Sequence, residues 1–341
     1  MIQAVKPLDR DKYLIGLQKT LEEKDKAAYF GKNIAAQDIR RIYFIACGAP
    51  NREMHSIKYW IDLVSKDLET ALYYPAEFVC SPPARLDQYS LVILMSHSGS
   101  TREVLEAAKF LEDKKCHVAA VTMHIDAPLA KAVPETFVFG SGDAGYEAKF
   151  IILMALISGL LQEMGAWDLH AQVMQGLDAL PAVMADAEEQ AEQQNADYAA
   201  AYADENFYMV LGSGPSYATA YSLGVCVMME SLWVKVFEGQ AAEFFHGPFE
   251  IVDEKVPVIL FLGEDNSRPI AERTKDFLKT YTNKALIYDS RDYAMNGIPE
   301  EVRAIMAPYV TGAASIRFAE YLSAIRGQPL STRRYMGKVS Y

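Results

Sequence analysis

The sequence predicts an α/β protein built from two copies of one domain, each a doubly wound, mostly parallel sheet flanked by helices. Two observations lead to this prediction. Two stretches about 166 residues apart repeat the same pattern through four consecutive pieces. Within each stretch, short continuous apolar runs alternate with segments of helical periodicity, a pattern typical of parallel strands that are buried on both faces.

The repeated pieces follow the same order in both halves. The first pair is an apolar strand that runs into a glycine turn, the second pair ends in proline, and the third and fourth pairs are again apolar strands. The pairs are 43–46 with 208–211, 76–82 with 242–248, 92–95 with 258–261, and 118–121 with 285–288. In the second pair, Cys80 of the first copy stands where the second copy has His246.

Helical periodicity places helices between these strands. Residues 101–113 carry an apolar stripe, with Glu103 in the first turn where the helix dipole favours an acid. The apolar run Phe150–Leu161 is too short to span a membrane and predicts a buried core helix. The polar stretch 186–204 predicts a connecting helix, with Pro181 near a helix start.

These elements divide the chain into five parts. A helical segment is expected at 1–34. The first repeated domain follows at 35–165, a helical connector at 166–204 and the second repeated domain at 205–325. The last part is a tail at 326–341.

Composition excludes several classes of protein. The 341 residues carry a formal net charge of −12, which repels polyanions, so we expect no nucleic acid and no membrane among the partners. Four scattered cysteines without a CxxC pair predict neither a metal site nor a redox pair, and no motif indicates a cofactor. The charged first residues lack the apolar run of a signal peptide, so we expect a cytoplasmic protein.

A hydroxyl-rich loop at 96–101, which reads Ser-His-Ser-Gly-Ser-Thr, follows a predicted strand and opens a predicted helix. Ligands of parallel sheets bind beyond the carboxyl ends of the strands. The hydroxyls and the free N–H groups of the helix start supply donors to phosphate oxygens. The alternative is that Ser100 and Thr101 only cap the helix.

The corresponding loop of the second copy, 263–267, has a different character. It carries Glu264 and Asp265 where the first copy has hydroxyl residues. Carboxylates repel phosphate, so we expect phosphate binding in the first copy only.

Glu230 is the candidate for proton transfer. It lies near the end of a predicted helix, 217–233, among apolar residues that include Met229 and Leu232, and no cation stands three or four residues away. Burial of this carboxylate is expected to raise its pKa toward neutrality, which suits a general base. The alternative is an exposed glutamate at a fraying helix end.

His246 is the second candidate. It stands in Glu243-Phe-Phe-His246-Gly-Pro, where Gly-Pro ends any helix and leaves the histidine exposed at its terminus. The residues around His246 are repeated in the first copy, but the histidine is not. A residue that differs within an otherwise repeated segment favours a functional role at that position. The alternative is a hydrogen-bonded structural histidine.

Taken together, these segments resemble the sugar isomerase (SIS) family. The resemblance rests on Cys47-Gly48, the loop 96–101, Glu230, the stretch 243–250, and the tail sequence 329–339, and it spans nearly the whole chain. Members include the isomerase half of glucosamine-6-phosphate synthase and bacterial deglycases that act on phosphorylated Amadori compounds, to which the tail is most similar. The chain is too short for the glutamine-hydrolysing domain that the synthase also needs, so we do not expect a synthase.

The resemblance implies roles for individual residues. Glu230 shuttles a proton between C1 and C2 of the sugar, and His246, supplied by the neighbouring subunit of a homodimer with shared active sites, helps to open the ring. Lys338 in the tail reaches into the site. The residues implied in binding the sugar phosphate are Gly48, Ser96, His97, Ser98 and Thr101.

Two positions depart from the family pattern. Ala49-Pro50 follows Gly48 where a hydroxyl residue is usual, which removes one phosphate contact. Glu147, in Ala144-Gly-Tyr-Glu147-Ala-Lys149, stands where the synthase has a serine near its sugar. An acid there is suited to receive the amine of an amino-acid adduct, and the alternative is a helix-capping glutamate.

The expected activity is hydrolysis of a 6-phosphorylated fructosamine, or the related glucosamine form, to glucose 6-phosphate and a free amine or amino acid, without a metal. A second interpretation is an aldose-ketose isomerase or a deaminase of an amino-sugar phosphate. A third is a non-catalytic phosphosugar sensor, although the basic DNA-binding module that often accompanies such sensors is not found in the sequence.

Overall fold

The computed structural model describes residues 5–140 and 145–339, and these form an α/β fold with two separate parallel sheets. The chain divides into two units. The first unit is Arg10–Pro181 with Gly297–Val302, and the second is Met1–Asp9, Ala182–Asn296 and Arg303–Tyr341. Within the described residues, every helix is too short or too polar to cross a lipid bilayer. The predicted α/β class and the duplication of the sheet are confirmed.

Five parallel strands form the sheet of the first unit. They are β1 (Arg41–Ala46), β2 (Glu69–Tyr73), β3 (Ser90–Met95), β4 (His117–Thr122) and β5 (Thr136–Val138). Their order across the sheet is β2-β1-β3-β4-β5. The central strands are almost wholly buried because helices cover both faces of the sheet. In this order the chain reverses direction across the sheet between β1 and β3, so a crevice is expected there.

Helices alternate with these strands. They are α1 (Arg10–Ile34), α2 (Gly48–Val64), α3 (Pro75–Cys80), α4 (Arg102–Leu111), α5 (Pro128–Ala132) and α6 (Gly145–Glu163). The predicted core run Phe150–Leu161 lies in α6 and is buried throughout. Helix α1 packs closely on α6, because a Cβ at Gly31 would lie 2.0 Å from the carbonyl oxygen of Leu156.

The second unit repeats the strand order of the first. Its strands are β6 (Phe207–Gly212), β7 (Lys235–Gln240), β8 (Val258–Leu262) and β9 (Ala285–Asp289), in the order β7-β6-β8-β9. All pair in parallel. The crevice expected between β1 and β3 therefore has a counterpart between β6 and β8.

The remaining helices include one of unusual type. They are α7 (His170–Gln190), α8 (Glu192–Tyr202), α9 (Ser216–Tyr221), a π-helix (Ser222–Met229), α10 (Glu230–Leu232), α11 (Arg268–Tyr281) and α12 (Arg303–Arg326). The helix predicted over 217–233 is present as an unbroken helical run over 216–232, but its middle part is a π-helix rather than an α-helix. The backbone N–H of Glu230 bonds to the carbonyl of Val225, five residues back, and helical periodicity does not reveal that extra residue in the turn.

Pro181 was predicted near a helix start, and this prediction is also wrong, because Pro181 lies inside α7. A proline there removes one backbone hydrogen bond. The helix nevertheless continues, since buried apolar side chains on both sides of the proline favour it; these are Leu177, Leu180, Val183 and Met184.

Candidate functional site

The carboxyl ends of β1 and β3 lie side by side, with Ala46 opposite Met95. Helix α2 begins directly after β1 at Gly48, which has a positive φ of 62°, and helix α4 begins after the loop that follows β3. A Cβ on Gly48 would meet no atom within 4 Å. The starts of two helices, α2 and α4, therefore lie at this crevice. At the first residue of α2, Gly48, there is space for a side chain.

The loop 96–101, predicted to bind phosphate, is held by its own hydroxyl groups. The Oγ of Ser96 accepts a hydrogen bond from the N–H of Gly99 at 3.0 Å and lies 2.8 Å from the Oγ1 of Thr101. The Oγ of Ser98 accepts the N–H of Ser100 at 3.2 Å. Ser96 is buried, whereas Ser98 and Ser100 are exposed. The buried hydroxyl shapes the loop, and the exposed hydroxyls are available to a ligand.

The hydrogen bonds of Thr101 argue against the alternative that this residue only caps helix α4. Thr101 occupies the N-cap position of α4, yet its side chain makes no capping hydrogen bond and pairs with Ser96 instead. Gly99 fixes the tight turn, because its φ is 66° and a Cβ would lie 2.6 Å from the Oγ1 of Thr122. The loop therefore has a shape that helix capping does not require.

His97 lies at the inner side of the same loop. Its ring centroid is 5.4 Å from that of Phe139, and burial, helped by the nearby cation of Lys149, lowers the pKa of His97 to about 4. The imidazole is therefore neutral at pH 7. It offers a phosphate a hydrogen bond rather than a positive charge.

A buried ion pair lies in the same unit. The Nζ of Lys149 is 3.3 Å from the Oε1 of Glu53, and both side chains are almost fully buried. Burial raises the pKa of Glu53 to about 8 against the opposing effect of Lys149. The Nζ of Lys149 also lies 5.6 Å from the ring centroid of Phe139, the ring that contacts His97. The sequence analysis missed Glu53; a carboxylate on the apolar face of α2 was the signal.

Glu147 lies in the first turn of α6, and Ala144, which opens its motif, is outside the described residues. Burial raises the pKa of Glu147, and its carboxylate accepts a hydrogen bond from its own backbone N–H. That bond agrees with the capping alternative. The proposed contact with the amine of a substrate stays a prediction.

The loops of the second crevice bond to each other. The Oγ of Ser267 donates to the Oγ of Ser213 at 3.1 Å, and the carboxylate of Asp265 accepts the N–H of Ser267 at 2.8 Å. Glu264 pairs with Arg303 at 3.0 Å. A buried carboxylate of the chain itself thus holds the start of α11, which supports the expectation that phosphate does not bind there.

Glu230 begins α10, immediately after the π-helix, and its side chain is 25% exposed. Leu232 is buried beside it as expected, but Met229 is 39% exposed. Within the described residues, no hydrogen bond engages the Glu230 carboxylate. It opens into a cavity of about 480 Å³ whose lining includes Trp233 and Arg333.

The C-terminal tail supplies the cation that the local sequence lacks. The Nη2 of Arg333 lies 3.7 Å from the Oε2 of Glu230. Burial raises the pKa of Glu230, and Arg333 partly opposes that rise. The predicted direction of the pKa shift is confirmed. Helical spacing around Glu230 does not reveal Arg333, because Arg333 lies in the C-terminal tail and not in the neighbouring turns of the helix.

Lys338 and His246 are the remaining candidates. The Nζ of Lys338 is exposed and donates to the carbonyl of Arg333 at 2.6 Å, so it braces the tail. His246 is exposed, as predicted, but it ends a run of turns rather than a helix; Gly247 follows with a φ of 129°. The roles of both residues toward a substrate stay predictions.

Comparison with known proteins gives consistent matches. A sequence model of the SIS domain matches residues 37–158. The chain is 35% identical over 326 residues to fructosamine deglycase FrlB of Bacillus subtilis (strain 168), covering 95% of this chain and 99% of that protein. It is 26% identical over 306 residues to fructoselysine 6-phosphate deglycase of Escherichia coli (strain K12), covering 90% and 88% of the two chains. A solved Bacillus subtilis structure, described as a phosphosugar isomerase, has a TM-score of 0.88 and 33% identity over 97% of this chain and 100% of that one.

Proposed function

Because the chain belongs to the SIS family of sugar-phosphate deglycases and isomerases, we propose that it hydrolyses a 6-phosphorylated fructosamine to glucose 6-phosphate and a free amine or amino acid. The observation that carries this proposal is the carboxylate of Glu230, which is partly buried, raised in pKa and open to a cavity. The activities for which the two deglycase relatives are named support the choice of substrate.

In the proposed reaction, Glu230 takes a proton from C1 of the open-chain ketosamine, and the electron pair forms a C1–C2 double bond while the C2–O π bond opens and its oxygen takes a proton from solvent, which gives an enaminol. The carboxyl group then returns the proton to C2 while the nitrogen lone pair forms a C1–N double bond, which gives a protonated imine at C1. Water adds to that carbon and the C1–N bond breaks with release of the amine. A carboxyl group with a pKa above its ordinary range serves both as base and as acid near neutral pH.

The hydroxyl loop 96–101 is proposed to bind the 6-phosphate. Its exposed hydroxyls and the start of α4 suit an anion in a protein whose overall charge is unfavourable for one. Binding energy gained at the phosphate holds the far end of the substrate in the ground state and in the transition state alike.

Replacing Arg333 with methionine is expected to move the acid limb of the kcat/KM profile to higher pH. Glu230 must be ionised to take the first proton, so activity falls as pH falls through its pKa. Arg333 lowers that pKa against the effect of burial. Its removal raises the pKa further, and the loss of activity therefore begins at a higher pH.

Arg334→Met is the matched control for this pH profile. The guanidinium of Arg334 lies 4.1 Å above the ring of Trp233 and is not among the groups that shift the pKa of Glu230. Its acid limb should coincide with that of the wild type. An Arg333→Met profile that also coincides with the wild type would remove Glu230 from the first proton transfer.

We also propose that the chain acts as a homodimer in which His246 serves the neighbouring subunit. The exposure of His246 on a turn supports this arrangement. Glu230→Gln and His246→Ala should each be inactive alone, while an unfolded and refolded equal mixture should regain about one quarter of wild-type activity, since half the dimers then hold one intact site. An inactive mixture with proven heterodimers would place both residues in sites within one chain.

The direct test of the proposed function is incubation with fructoselysine 6-phosphate and with α-linked 6-phosphofructosyl amino acids, followed by assay of glucose 6-phosphate and free amino acid. Release of both in equal amounts is expected. Interconversion of glucose 6-phosphate and fructose 6-phosphate, or release of ammonia from an amino-sugar phosphate, in place of this reaction would make the chain an isomerase or a deaminase.

A further inference from the structure

The cavity beside Glu230 carries a local charge opposite to that of the molecule. In the part of the chain that the structure describes, three cationic side chains and one acidic side chain, that of Glu230, line it, although the chain has a net charge of −12. The lining residues are Met229, Glu230, Trp233, Val234, Lys235, Val236, and the tail residues Arg333, Arg334, Tyr335 and Met336. A cationic cavity with apolar walls suits a ligand that joins an anionic group to a carbon skeleton.

In the guanidinium of Arg333, one terminal nitrogen donates hydrogen bonds to the protein, and the other has N–H groups that remain available to a ligand. Its Nη1 donates to the Oγ of Ser231 at 2.8 Å and to the carbonyls of Leu330 and Thr332 at 2.9 and 2.8 Å. Its Nη2 is 3.7 Å from the Oε2 of Glu230, which is too long for a hydrogen bond. Within the described part of the chain, no hydrogen bond uses Nη2. The protein therefore holds the guanidinium rigidly while leaving N–H groups for another acceptor.

The tail is anchored around this guanidinium. The Nζ of Lys338 donates to the carbonyl of Arg333, and the Nε2 of Gln328 donates to the carbonyl of Ser231 at 2.6 Å. Arg334 stacks on the exposed ring of Trp233, the residue that ends α10 with a φ of 55°. The cations of the tail are thus fixed beside Glu230, and a preorganised cation binds an anion at a smaller entropic cost.

We propose that this cavity receives the amine-derived part of the substrate and that Arg333 binds a carboxylate attached next to the reacting nitrogen. This inference rests on the proposed function. In an adduct formed through an α-amine, the carboxylate carbon lies between about 3 and 4 Å from C1, because only the nitrogen and one carbon separate them. Glu230 must reach C1, and Arg333 lies 3.7 Å from Glu230, so the two groups can serve these neighbouring atoms together.

The chemistry of the guanidinium favours a carboxylate over a neutral group. A charge-assisted hydrogen bond to a carboxylate is about twice as strong as a neutral one, and it gains further where water is partly excluded. The apolar walls formed by Val236, Met229 and Met336 then take the side chain of the amino acid. The inferred substrate class is therefore a 6-phosphofructosyl amino acid linked through its α-amine.

The test compares two substrates of nearly the same shape, 6-phosphofructosylglycine and 6-phosphofructosylglycinamide, in which a neutral amide replaces the carboxylate. For the wild-type enzyme, kcat/KM is expected to be about 10- to 100-fold higher for the glycine adduct. In Arg333→Met the ratio should fall close to one, mainly through loss on the glycine adduct. A shift in the pKa of Glu230 affects both substrates alike and cancels in the ratio.

Arg291→Met provides a control, since Arg291 is a mostly exposed arginine elsewhere in the second unit and should leave the ratio unchanged. The comparison of the two substrates by the wild-type enzyme needs no variant, so it stands even if Arg333→Met folds poorly.

Arg334→Met is the second variant. Arg334 also lines the cavity but stacks on Trp233, so its loss should lower the ratio of kcat/KM between the two adducts by a smaller factor.

The outcomes separate this inference from the proposed function. If neither adduct releases glucose 6-phosphate, the proposed function fails. If both adducts react with the same kcat/KM in the wild type, the deglycase function stands and the carboxylate site is overturned. If the ratio of kcat/KM between the glycine and glycinamide adducts is high in the wild type and equally high in Arg333→Met, a different group binds the carboxylate. That outcome would overturn the assignment to Arg333.

Discussion

Glu230→Gln is expected to lower kcat for glucose 6-phosphate release by about two to four decades and to leave substrate binding nearly unchanged. The amide has the shape of the carboxylate, so the cavity and its contacts persist. It cannot take a proton from C1, and among the described residues that line the cavity Glu230 alone carries a carboxylate. Single-turnover kinetics measure the chemical step, and calorimetry with the variant measures substrate affinity.

An isotope experiment makes this prediction more specific. In D₂O the wild type should deliver glucose 6-phosphate that carries deuterium at C2, to the extent that the Glu230 proton exchanges with solvent during the reaction, whereas slow residual turnover by the variant should not depend on this group. Glu254→Gln, an exposed glutamate in a loop of the second unit, is the control and should behave as the wild type. Wild-type turnover in Glu230→Gln would falsify the assignment of the base.

The double variant Ser96→Ala, Thr101→Val is expected to raise KM by about 10- to 100-fold with little change in kcat once the enzyme is saturated. Ser96 accepts the N–H of Gly99 and pairs with Thr101, so its loss frees the turn that presents the remaining hydroxyls. The proposed phosphate grip contributes equally to the ground state and the transition state, and its loss therefore appears in KM. Inhibition by inorganic phosphate should weaken in parallel.

The corresponding loop of the second domain supplies the control. Ser267→Ala removes a buried hydroxyl bonded to Ser213 and should reduce the melting temperature without changing KM or the inhibition by phosphate. If Ser267→Ala raised KM as strongly as the first-domain variant, the assignment of phosphate to a single crevice would be wrong. A first-domain variant with unchanged KM and unchanged phosphate inhibition would contradict the phosphate role of the loop.

The sequence predicted the parts of the fold that depend on continuous burial. Strands β1, β3, β6 and β8 are apolar runs at a fixed separation, and the same physical requirement, a sheet covered on both faces, produced both copies. Strands β2 and β7 were not predicted, because they lie at sheet edges, are only partly buried, and carry the polar residues Glu69 and Glu238 within short strands.

The repeat also concealed a difference in local structure. The second matched piece is a short helix, α3, in the first unit and a run of turns in the second, although the two sequences align residue by residue. Gly247 has a φ of 129°, which a residue with a side chain rarely adopts, whereas Ser81 stands at the matching position. The matching side chains of Cys80 and His246 are both exposed, so the two copies differ here in backbone conformation and not in the exposure of this position.

The proton-transfer candidate could be found from sequence, but its electrostatic partner could not. The apolar neighbours of Glu230 indicated a raised pKa, which the structure shows. Arg333 comes from the C-terminal tail, far along the chain from Glu230, and a pair of residues so widely separated leaves no trace in local spacing. The buried pair of Glu53 and Lys149 was missed for the same reason, since the two residues stand on different helices.

The hydrogen bonds among Ser213, Asp265 and Ser267 affect how many phosphosugar molecules a duplicated chain binds at saturation. A duplication ordinarily yields two equivalent receptors per polypeptide and so the possibility of interaction between them. In the second copy, the carboxylate of Asp265 accepts the N–H of Ser267 at the start of α11, and we expect it to compete there with any phosphate from solution. Titration should therefore reach an endpoint of one phosphosugar per polypeptide, and the duplication by itself adds no second step to the binding isotherm.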